Sequence, residues 1–573
     1  MELGLSVCPG PDGDQRDCTV FILPAAWLVE VAWVVYATVN HITPMYFNVA
    51  NPMSSRPRKK LPIGIQTLSE ILSDGYYYVD KTGLAHQLIS QGKYYFLSRP
   101  RRFGKSLFLD TLKEIFEGNQ ALFEGLTIHD KWDWASRFPV IRISFNDGGI
   151  SNRAELDRRI RSILRVNFQR LGLACPDLDD IIDAFGELIR TARKAWGQRV
   201  VVLVDEYDKP LLDNIEDAAS TLAIREGLKA LYSVIKGADE DIRFAFVTGI
   251  SKFSKVSMFS GMNNLNDLTM HPNYSALCGY TDSDLEQVFA PELPGLDRAK
   301  IRQWYNGYNW TGEAVYNPFD LLLFFENRRF RPWWFETGTP GFLVKLMAER
   351  GFYTPRLAQL RCGPELISTF DVDQITVEAL LFQSGYLTIT HEEELLSGMV
   401  RYTLGYPNME VEFALNSSLL GAYTSDASTS DQLRTRLYDL LQARDVLGLR
   451  ELFHAFFAGI PYNWYTNNSI AQYEGFYASV FYSYFASQGF DLRVEDATNH
   501  GRIDMTVILP GQIYLFEFKV VELLPEGRAL HQLQDKAYAD KYRALGLPVS
   551  LIGVEFSRES RNVVGFEVAQ LGS

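Results

Sequence analysis

The segment from Tyr94 to Ser106 constrains the fold of this chain more than any other stretch. It begins with an apolar run, turns at Pro100, and reaches the tripeptide Gly104-Lys105-Ser106 at the start of an amphipathic pattern. Backbone N–H groups at a helix start can cradle phosphates, while a lysine neutralises their charge and a serine hydroxyl reaches Mg²⁺. The segment therefore predicts a strand, a phosphate-binding loop and a helix from Ser106 to Phe116.

The match to the usual loop pattern, G-x-x-x-x-G-K-[ST], is incomplete. Arg99 occupies the position of the first glycine, and Pro100 and two more arginines follow it. A helix that starts after a glycine with a solvated lysine is the alternative interpretation of this tripeptide. The phosphate-loop interpretation expects Lys105 to be exposed at the helix start, outside any core.

A second stretch supports the phosphate-loop interpretation. The apolar, mostly β-branched run from Val200 to Val204 ends in Asp205 and Glu206. Such a run is expected of a parallel strand buried on both faces, and ligands bind at the carboxyl ends of such strands. We expect Asp205 to hold Mg²⁺ through water and Glu206 to polarise the attacking water; a solvated acidic turn is the alternative.

Strands and helices alternate from Leu61 to about Met270, which predicts a parallel sheet covered on both faces. If the last strand lies between the other two site-bearing strands, Thr248 at its end would sense a γ-phosphate. Capping of a helix or turn is the alternative role for Thr248. The predicted strands are Tyr94 to Ser98, Val140 to Phe145, Val200 to Val204 and Phe244 to Ile250, with a helix from Ala154 to Leu171 among the connections.

Composition limits the class of protein. With 573 residues, 47% hydrophobic and 13% aromatic, the chain can bury large cores and should form several domains. The net charge of −14 argues against a protein that coats DNA, but not against an enzyme that visits it. Cysteines without a C-x-x-C pair argue against a disulfide framework or a zinc site and indicate a reducing compartment. The five cysteines are Cys8, Cys18, Cys175, Cys278 and Cys362.

The N-terminal segment differs in character from the rest of the chain. The stretch from Val20 to Val39 is nearly long enough to span a bilayer and holds one charged residue, Glu30. It contains Pro24, however, and acidic residues precede it where a signal peptide would be positive. We therefore expect residues 1–52 to be an extension foreign to the fold, with Met53 as a plausible alternative start; a membrane anchor is the alternative.

The middle of the chain, residues 279–460, reads as mostly helical with aromatic clusters. These clusters are spaced as helix ends and turns, which favours packing between subdomains over stacking on bases. The stretches from Ser384 to Thr388 and from Leu404 to Glu412 suggest a short β element. The small, polar run from Thr424 to Asp431 predicts a linker or an exposed loop.

A β-hairpin is predicted near the C-terminus, with strands from Ile503 to Leu509 and from Ile513 to Lys519. In the second strand Glu517 and Lys519 share one face, and the flanking residues are apolar on both faces. Such charges are costly to bury unless they are paired or bind a metal, whereas a solvated surface pair is the alternative.

Asp504, Glu517 and Lys519 match the D…E-x-K signature of the PD-(D/E)XK nucleases. Two carboxylates suit Mg²⁺, and a lysine can position or activate the water that attacks a phosphodiester.

Two flanking helices carry further candidates. Glu474 opens a helix and resembles the acid that such nucleases contribute from their first helix; a solvated first-turn glutamate is the alternative. Downstream, Gln532 and Lys536 lie four residues apart on one helix face and match the family pattern. Gln534 and Tyr538 are the alternative pair on this helix.

These motifs together resemble the AAA-ATPase-like proteins that carry a C-terminal PD-(D/E)XK nuclease domain. The resemblance covers about Leu61 to Phe556, and in that family Arg-Pro-Arg-Arg-Phe-Gly-Lys-Ser replaces the glycine-rich loop. The other motifs that carry it are Tyr78-Val-Asp-Lys-Thr82, Leu203-Val-Asp-Glu-Tyr-Asp208 and Met258-Phe-Ser-Gly-Met-Asn-Asn-Leu-Asn-Asp267. The resemblance implies nucleotide binding by Arg102, Gly104, Lys105, Ser106, Leu107, Asp205 and Thr248. It implies catalysis by Glu206, Asp504, Glu517, Lys519 and Gln532, and metal binding by Ser106, Asp205, Glu474, Asp504 and Glu517.

The predicted fold is α/β, with a P-loop parallel-sheet ATPase-like domain at 53–278, a helical lid or linker region at 279–460 and an α/β PD-(D/E)XK nuclease-like domain at 461–573. We expect ATP and Mg²⁺ as cofactors, DNA as the nucleic-acid substrate, and an intracellular location in the cytoplasm, nucleoid or nucleus. A homo-oligomer is compatible with this fold, and no membrane association is expected. Two alternatives stay open: a nucleotide-gated regulatory or nucleic-acid-binding protein with a non-cleaving nuclease fold, and a membrane-anchored ATPase.

A truncated chain that begins at Met53 tests the interpretation of the first 52 residues. If they are foreign to the fold, the shortened protein should be soluble without detergent and should melt at least as high as the full chain. Thermal unfolding and sedimentation of both forms measure this. Aggregation of the shortened form, or firm partitioning of the full chain into vesicles, would instead support the membrane anchor.

Overall fold

The computed structural model describes residues 4–6, 20–22, 57–252, 264–338, 343–344, 346–347, 352–365, 376–396, 398–423, 427–460 and 474–571. The chain divides into two compact units, Met1–Arg56 and Pro57–Ser573. The expected domain boundaries at 278/279 and 460/461 fall within the second unit and stay predictions.

In the first unit the structure describes two short strands, β1 (Gly4–Ser6) and β2 (Val20–Ile22), which pair antiparallel. The remainder of the expected apolar segment, like Cys8 and Cys18, lies outside the described residues. Among the helices that the structure describes, none is both long and apolar enough to cross a membrane.

A five-stranded parallel sheet organises the first part of the second unit. Its strands are β3 (Tyr94–Ser98), β4 (Val140–Ser144), β5 (Val200–Asp205), β6 (Ile242–Gly249) and β7 (Asn266–Asp267). They lie in the order β4-β5-β6-β3-β7, and all neighbours are parallel. Because β6 lies between β3 and β5, the carboxyl ends of all three strands meet at one edge of the sheet.

The predicted parallel sheet is confirmed, with small differences at the strand ends. β4 ends before Phe145, and β6 begins at Ile242 and ends before Ile250. All six residues of β5 are buried, as its unbroken apolar run predicted.

Helices connect these strands and pack on the sheet: α3 contacts β5 and β6, and α4 contacts β4. Side-chain caps at Asn152, Asp180 and Asp217 satisfy backbone N–H groups in the first turns of α4, α5 and α7. The helices are α1 (Leu68–Ser73), α2 (Thr82–Gln91), α3 (Lys105–Phe116), α4 (Arg153–Arg170), α5 (Ile181–Trp196), α6 (Lys209–Leu212) and α7 (Ala218–Gly237).

The middle region is helical with one small antiparallel sheet, in the order β8-β10-β9. Its strands are β8 (Leu360–Cys362), β9 (Thr388–Glu394) and β10 (Val400–Gly405). Its helices are α8 (Asp282–Val288), α9 (Arg298–Tyr305), α10 (Pro318–Asn327), α11 (Trp333–Gly338), α12 (Val377–Ser384), α13 (Met409–Tyr423), α14 (Ala427–Ala443) and α15 (Val446–Gly459).

Two expectations for the middle region were wrong in part. The stretch expected as a loop from Thr424 to Asp431 is helical from Ala427, because α14 begins there. The expected β element over Leu404–Glu412 ends with β10 at Gly405, and α13 has begun by Met409. Aromatic residues of these clusters pack in the interior, as expected: Tyr305, Tyr308, Tyr316 and Trp334 are buried.

The C-terminal part is a five-stranded mixed sheet in the order β11-β12-β13-β14-β15. β12 and β13 form the predicted antiparallel hairpin, whereas β13 and β14 are parallel and joined through α17. The elements are α16 (Glu474–Ala486), β11 (Asp491–Thr498), β12 (Gly501–Leu509), β13 (Gln512–Val521), α17 (Arg528–Asp535), β14 (Val549–Ser557) and β15 (Val563–Leu571).

Helix α13 joins the middle region to the C-terminal sheet domain and carries two acids, of which Glu410 is fully buried and Glu412 is partly buried. Glu410 accepts a hydrogen bond from the Trp334 backbone N–H at 2.8 Å, and Glu412 accepts one from the Tyr482 hydroxyl of α16 at 3.0 Å. Glu410 also lies against the carboxyl group of Asp320 in α10, and both groups are fully buried. Burial raises the pKa of Asp320 to about 7, and burial with the neighbouring Asp320 charge raises the pKa of Glu410 well above its usual range.

Replacing this pair by amides, in the double variant Asp320→Asn with Glu410→Gln, should flatten the pH dependence of stability. Because both groups hold protons more tightly in the folded chain than in the unfolded one, their contribution is lost as pH rises from about 4 through about 7. The variant should therefore be relatively more stable than wild type above about pH 7. Urea unfolding across this range measures the difference.

The matched control is Asp130→Asn, which neutralises an acid whose side chain is 95% exposed. This control should reproduce the wild-type slope of unfolding free energy against pH. A double variant with that same slope would show that the pair does not titrate with folding.

Candidate active sites

The loop after β3 has the backbone shape of a phosphate cradle. Gly104 has φ 90°, a left-handed conformation that glycine adopts without strain, and α3 begins at Lys105 directly after it. The expectation that Lys105 is exposed was wrong: only 7% of this residue is exposed. Its Nζ donates to the carbonyl oxygens of Arg99 and Pro100 at 2.9 Å each, so the ammonium closes the loop on itself. Burial lowers the pKa of Lys105, opposed by the carboxylates of Asp205 and Glu206.

Ser106 connects this loop to the acidic end of β5. Its hydroxyl donates to Asp205 Oδ2 at 2.6 Å, although the two residues are 99 positions apart. The other oxygen, Asp205 Oδ1, is buried and has no hydrogen-bond partner among the described residues. A hydroxyl beside an unpaired carboxylate oxygen fits the ligand preference of Mg²⁺, so Ser106 and Asp205 are suited to hold that ion.

Glu206 follows Asp205 with a left-handed backbone, φ 49°. Its carboxylate faces Asn146, just beyond β4; with the amide nitrogen turned toward Glu206, Asn146 donates to Oε1 at 2.7 Å. Burial and the charge of Asp205 raise the pKa of Glu206. Asn146 was not predicted from the sequence. The available signal was a polar residue just after the strand that pairs with the acid-bearing strand.

Thr248 lies on β6, between the two site-bearing strands, as expected. Its hydroxyl donates to the Leu97 carbonyl of β3 at 2.8 Å, and its side chain is fully buried. The contact ties β6 to β3 and matches neither helix nor turn capping. The expected role of Thr248 in sensing γ-phosphate therefore stays a prediction, and the hydrogen bond to Leu97 does not support it.

The three arginines of the loop occupy different environments. Arg99 is fully buried, donates to the carbonyls of Ser98 and Thr269, and lies 4.0 Å from the centre of the Trp310 ring. Burial lowers the pKa of Arg99 to about 10, which leaves it charged at neutral pH.

Arg102 is exposed, has φ 68°, and lies 4.9 Å from the centre of the Phe319 ring. Arg101 is also exposed, and its carbonyl accepts a hydrogen bond from Trp334 Nε1 at 3.1 Å. Arg99, which occupies the position of the first glycine, connects the loop to the middle region through its contact with the Trp310 ring.

A cavity of about 520 Å³ opens beside this loop. Its polar lining residues include Gly104, Lys105, Ser106, Glu206 and Asn146. Its apolar and aromatic lining residues include Ile65, Tyr78, Val79, Tyr280, Phe319 and Leu322. A cavity of this size, lined by both charged and apolar side chains, suits a nucleotide. Arg102 and Leu107 also line it, so the predicted binding residues other than Asp205 and Thr248 share one cavity.

The C-terminal domain brings its predicted residues together at the end of the β12–β13 hairpin. The Met505–Phe516 pair ends the ladder directly before Asp504 and Glu517. Asp504 Oδ2 accepts the Phe518 backbone N–H at 2.8 Å. Glu517 is 1% exposed and contacts Lys519, whose Nζ lies 3.1 Å from Glu517 Oε1. The acids and the lysine therefore converge on one point.

Electrostatics at this point reflect burial. Burial and the charge of Asp504 raise the pKa of Glu517 to about 7, and burial raises that of Asp504 to about 6. Burial opposes the charge of Lys519, but Glu517, Asp504 and Glu474 outweigh it and raise the lysine pKa. Glu517 Oε2 is buried without a hydrogen-bond partner among the described residues, so the carboxylates fit a divalent cation.

Helix α17 supplies Gln532, which donates through Nε2 to Glu517 Oε1. The helix lies close to β14 because position 553 is glycine: a Cβ there would lie 2.2 Å from Leu530 N. Glu555 fixes the start of α17 by accepting the backbone N–H groups of residues 526–529. Two alternative pairs were predicted here, Gln532 with Lys536 and Gln534 with Tyr538. Gln532 reaches the site, whereas Tyr538 lies beyond the end of α17 and packs in the core.

Glu474 begins α16 and contacts Lys519 Nζ at 3.4 Å. In the part of the chain that the structure describes, no group of three or more His, Cys, Asp or Glu side chains is close enough to form a metal set. Direct metal binding by Glu474 therefore stays a prediction.

Tyr353 of the middle region also reaches this site. A Cβ at Gly475 would lie 3.4 Å from the Tyr353 ring, and the nearby carboxylates Glu495, Asp504 and Glu474, together with burial, raise its pKa. Thr354 anchors the segment by donating to Ser479 O of α16 at 3.3 Å. No sequence signal indicated Tyr353, because the contact joins segments that are distant along the chain.

Because Lys105 is buried, removing its side chain should lower the stability of the fold as well as the affinity for ATP. Lys105→Ala should abolish ATP binding and also destabilise the fold by about 1–3 kcal/mol, because two loop carbonyls lose their donor. Calorimetry with ATP and urea unfolding measure the two effects. The control is Lys131→Ala, which removes an exposed lysine and should change neither. An unchanged ATP affinity in Lys105→Ala would remove the phosphate-loop assignment.

Comparison with known proteins matches two family models to separate parts of this chain. Residues 62–259 match the family model described as predicted AAA-ATPase, and residues 472–566 match that of the PD-(D/E)XK nuclease superfamily. A relative from Azotobacter chroococcum mcd 1, described as an uncharacterized protein in the vnfD 5' region, is 61% identical over 516 residues, which is 90% of this chain and 100% of the relative. The chain therefore belongs to the family of AAA-ATPase-like proteins that carry a C-terminal PD-(D/E)XK nuclease domain.

Proposed function

We propose that this protein binds and hydrolyses ATP at the loop after β3 and uses the state of that site to control metal-dependent cleavage of DNA at the β12–β13 hairpin. The observation that carries the nuclease half is the buried Glu517 carboxylate, which Lys519 and Gln532 contact beside Asp504. A module that only binds nucleic acid has no need of unlike charges buried at the end of one strand.

At the ATPase site, the chain's own groups have separate roles. Backbone N–H groups after Gly104 and the Lys105 ammonium would hold the β- and γ-phosphates. Ser106 and Asp205 would hold Mg²⁺, which supplies charge neutralisation at the phosphates when bound. Glu206 would orient the attacking water and accept its proton, and Asn146 holds the Glu206 carboxylate in place.

At the nuclease site, Asp504 and Glu517 would hold the metal. When bound, Mg²⁺ would stabilise the charge on the scissile phosphate and acidify a bound water. Lys519, which pairs with Glu517, would orient that water, and Gln532 holds the Glu517 carboxylate by a hydrogen bond. The Phe518 N–H fixes Asp504 in the same way.

A packed path joins the two sites. The Arg101 carbonyl contacts Trp334 Nε1, and the Trp334 backbone N–H contacts Glu410 of α13. On the same helix, Glu412 contacts Tyr482 of α16, and α16 begins at Glu474 beside the nuclease site. A change in the loop on nucleotide binding would therefore reach the nuclease site through α13, and this coupling is what ATP dependence of cleavage would report.

Alanine variants of the C-terminal acids test the nuclease proposal. Purified protein should cut DNA with Mg²⁺ or Mn²⁺ and stop on addition of a chelator. Asp504→Ala or Glu517→Ala should lose cleavage by several orders of magnitude, since metal activation supplies much of the rate. Lys519→Ala should be equally damaging but should spare metal affinity. Gel assays of cleavage and calorimetry with Mn²⁺ measure these effects.

The control is Glu522→Ala, which removes an acid just after β13 whose side chain is 80% exposed, and it should cut normally. DNA binding should survive in Asp504→Ala, because a carboxylate facing the phosphates is removed. Coupling predicts that Glu206→Gln alters cleavage although it lies outside the nuclease site. If wild-type protein binds DNA but cuts no single-stranded, duplex or branched form with any divalent metal and ATP, the nucleotide-gated regulatory function replaces the nuclease.

A further inference from the structure

We propose that Arg101 is a catalytic residue of ATP hydrolysis, which supplies from the chain's own loop the guanidinium that stabilises the charge developing on the γ-phosphate. This inference rests on the proposed ATPase function and identifies a cation that the loop motif does not assign. It also implies that turnover needs no arginine from a second copy of the chain.

The cations that line the cavity beside the loop each have a different environment. Lys81 pairs with Asp284 at 2.7 Å, and Lys209 pairs with Asp213 at 2.7 Å. Lys105 donates to two loop carbonyls, and Arg102 lies over the Phe319 ring. The cavity-lining cations are Lys81, Arg101, Arg102, Lys105 and Lys209.

Arg101 is the remaining cation of that set. Its side chain is exposed and makes no hydrogen bond, ion pair or ring contact with any residue in the described ranges. A guanidinium that lines a phosphate cavity without a carboxylate partner is available to an anionic ligand, because no internal acid competes for it.

Glu206 lies close enough to Arg101 for their charges to interact. Burial raises the pKa of Glu206, and the charge of Arg101 opposes this shift. Both side chains line the cavity that contains Lys105 and Ser106. The water that Glu206 would orient, and the phosphate that this water attacks, would therefore lie in the cavity that Arg101 lines.

The backbone of Arg101 is held from the middle region. Trp334 Nε1 donates to the Arg101 carbonyl at 3.1 Å. The preceding Pro100 packs against Gly385, where φ is 92° and an added Cβ would lie 2.6 Å from Pro100 Cγ. These two contacts fix the position from which the guanidinium extends, and such preorganisation is what makes a charged donor effective in a transition state.

A water oxygen bonds to the γ-phosphorus while the bond from that phosphorus to the β,γ-bridging oxygen breaks. The water gives one proton to Glu206, which later passes it to the released phosphate, and the bridging oxygen leaves with its electron pair on ADP. Negative charge grows on the bridging and γ-oxygens during this step, and the Arg101 guanidinium would donate hydrogen bonds to them.

The test compares Arg101→Ala and Arg101→Lys with wild-type full-length protein. Single-turnover ATP hydrolysis in Arg101→Ala should fall by about 10³-fold or more, as for other transition-state arginines, whereas ATP affinity should change by less than about tenfold. Arg101→Lys should not restore the rate, because an ammonium lacks the two-pronged guanidinium. Free guanidinium at a non-denaturing concentration should partly restore hydrolysis in Arg101→Ala.

A second readout does not depend on turnover. Calorimetry with ADP and aluminium fluoride, which together mimic the transferring phosphoryl group, should show tight binding in wild type and loss of that tightening in Arg101→Ala. The control is Arg158→Ala, which removes a side chain that is 77% exposed on α4 and should match wild type in both assays.

Three results would overturn the inference. Hydrolysis by Arg101→Ala within about threefold of wild type would exclude a transition-state role for this residue. Turnover per chain that collapses on dilution of wild type would instead indicate an arginine from a second copy. If wild-type protein binds no ATP at all, the proposed function itself is wrong. That result differs from normal ATP binding with unchanged hydrolysis in Arg101→Ala, which would overturn only the role of Arg101.

Discussion

Parallel pairing in the order β5-β6-β3 is the constraint on which the first site depends. It places the end of the loop-bearing strand and the end of the acid-bearing strand at one edge of the sheet, and the Ser106–Asp205 hydrogen bond of 2.6 Å records that approach. The buried apolar residues of β5 fix this register, because the strand has no face that it could turn to solvent. Asp205 is held buried by the same packing, and its Oδ1 has no hydrogen-bond partner in the part of the chain that the structure describes.

The sequence predicted the sheet and hairpin elements that position the candidate site residues, because the signals for these elements are local. The apolar run of β5, the hairpin of β12 and β13, and the Gly104 turn are each encoded within a few neighbouring residues. Contacts between distant segments were not predictable in this way. Asn146 and Tyr353 reach their sites only through the tertiary fold, and the burial of Lys105 depends on how the loop folds back over it.

The two sites stabilise their buried charged groups in different ways. In the loop, Lys105 and Arg99 donate hydrogen bonds to backbone carbonyls, and neither cation forms an ion pair with an acid among the described residues. At the hairpin, Lys519 already pairs with Glu517 and Glu474, and the acids share a low-dielectric surrounding that raises their pKa values. At the hairpin, a bound metal would relieve the repulsion between the Asp504 and Glu517 carboxylates. At the loop, a nucleotide would not have to displace an acid from the cations.

Helix α13 contacts residues near both sites. Its neighbouring acids, Glu410 and Glu412, face different partners: one contacts the Trp334 backbone beside the loop, and the other contacts Tyr482 in the helix that opens the nuclease domain. Glu410 is fully buried and Glu412 is partly buried, so moving either one away from its partner would leave a poorly solvated carboxyl group unsatisfied, which packed interiors tolerate poorly. Under the proposed coupling, α13 would therefore shift as a rigid body, and that shift would carry a displacement of the loop to α16.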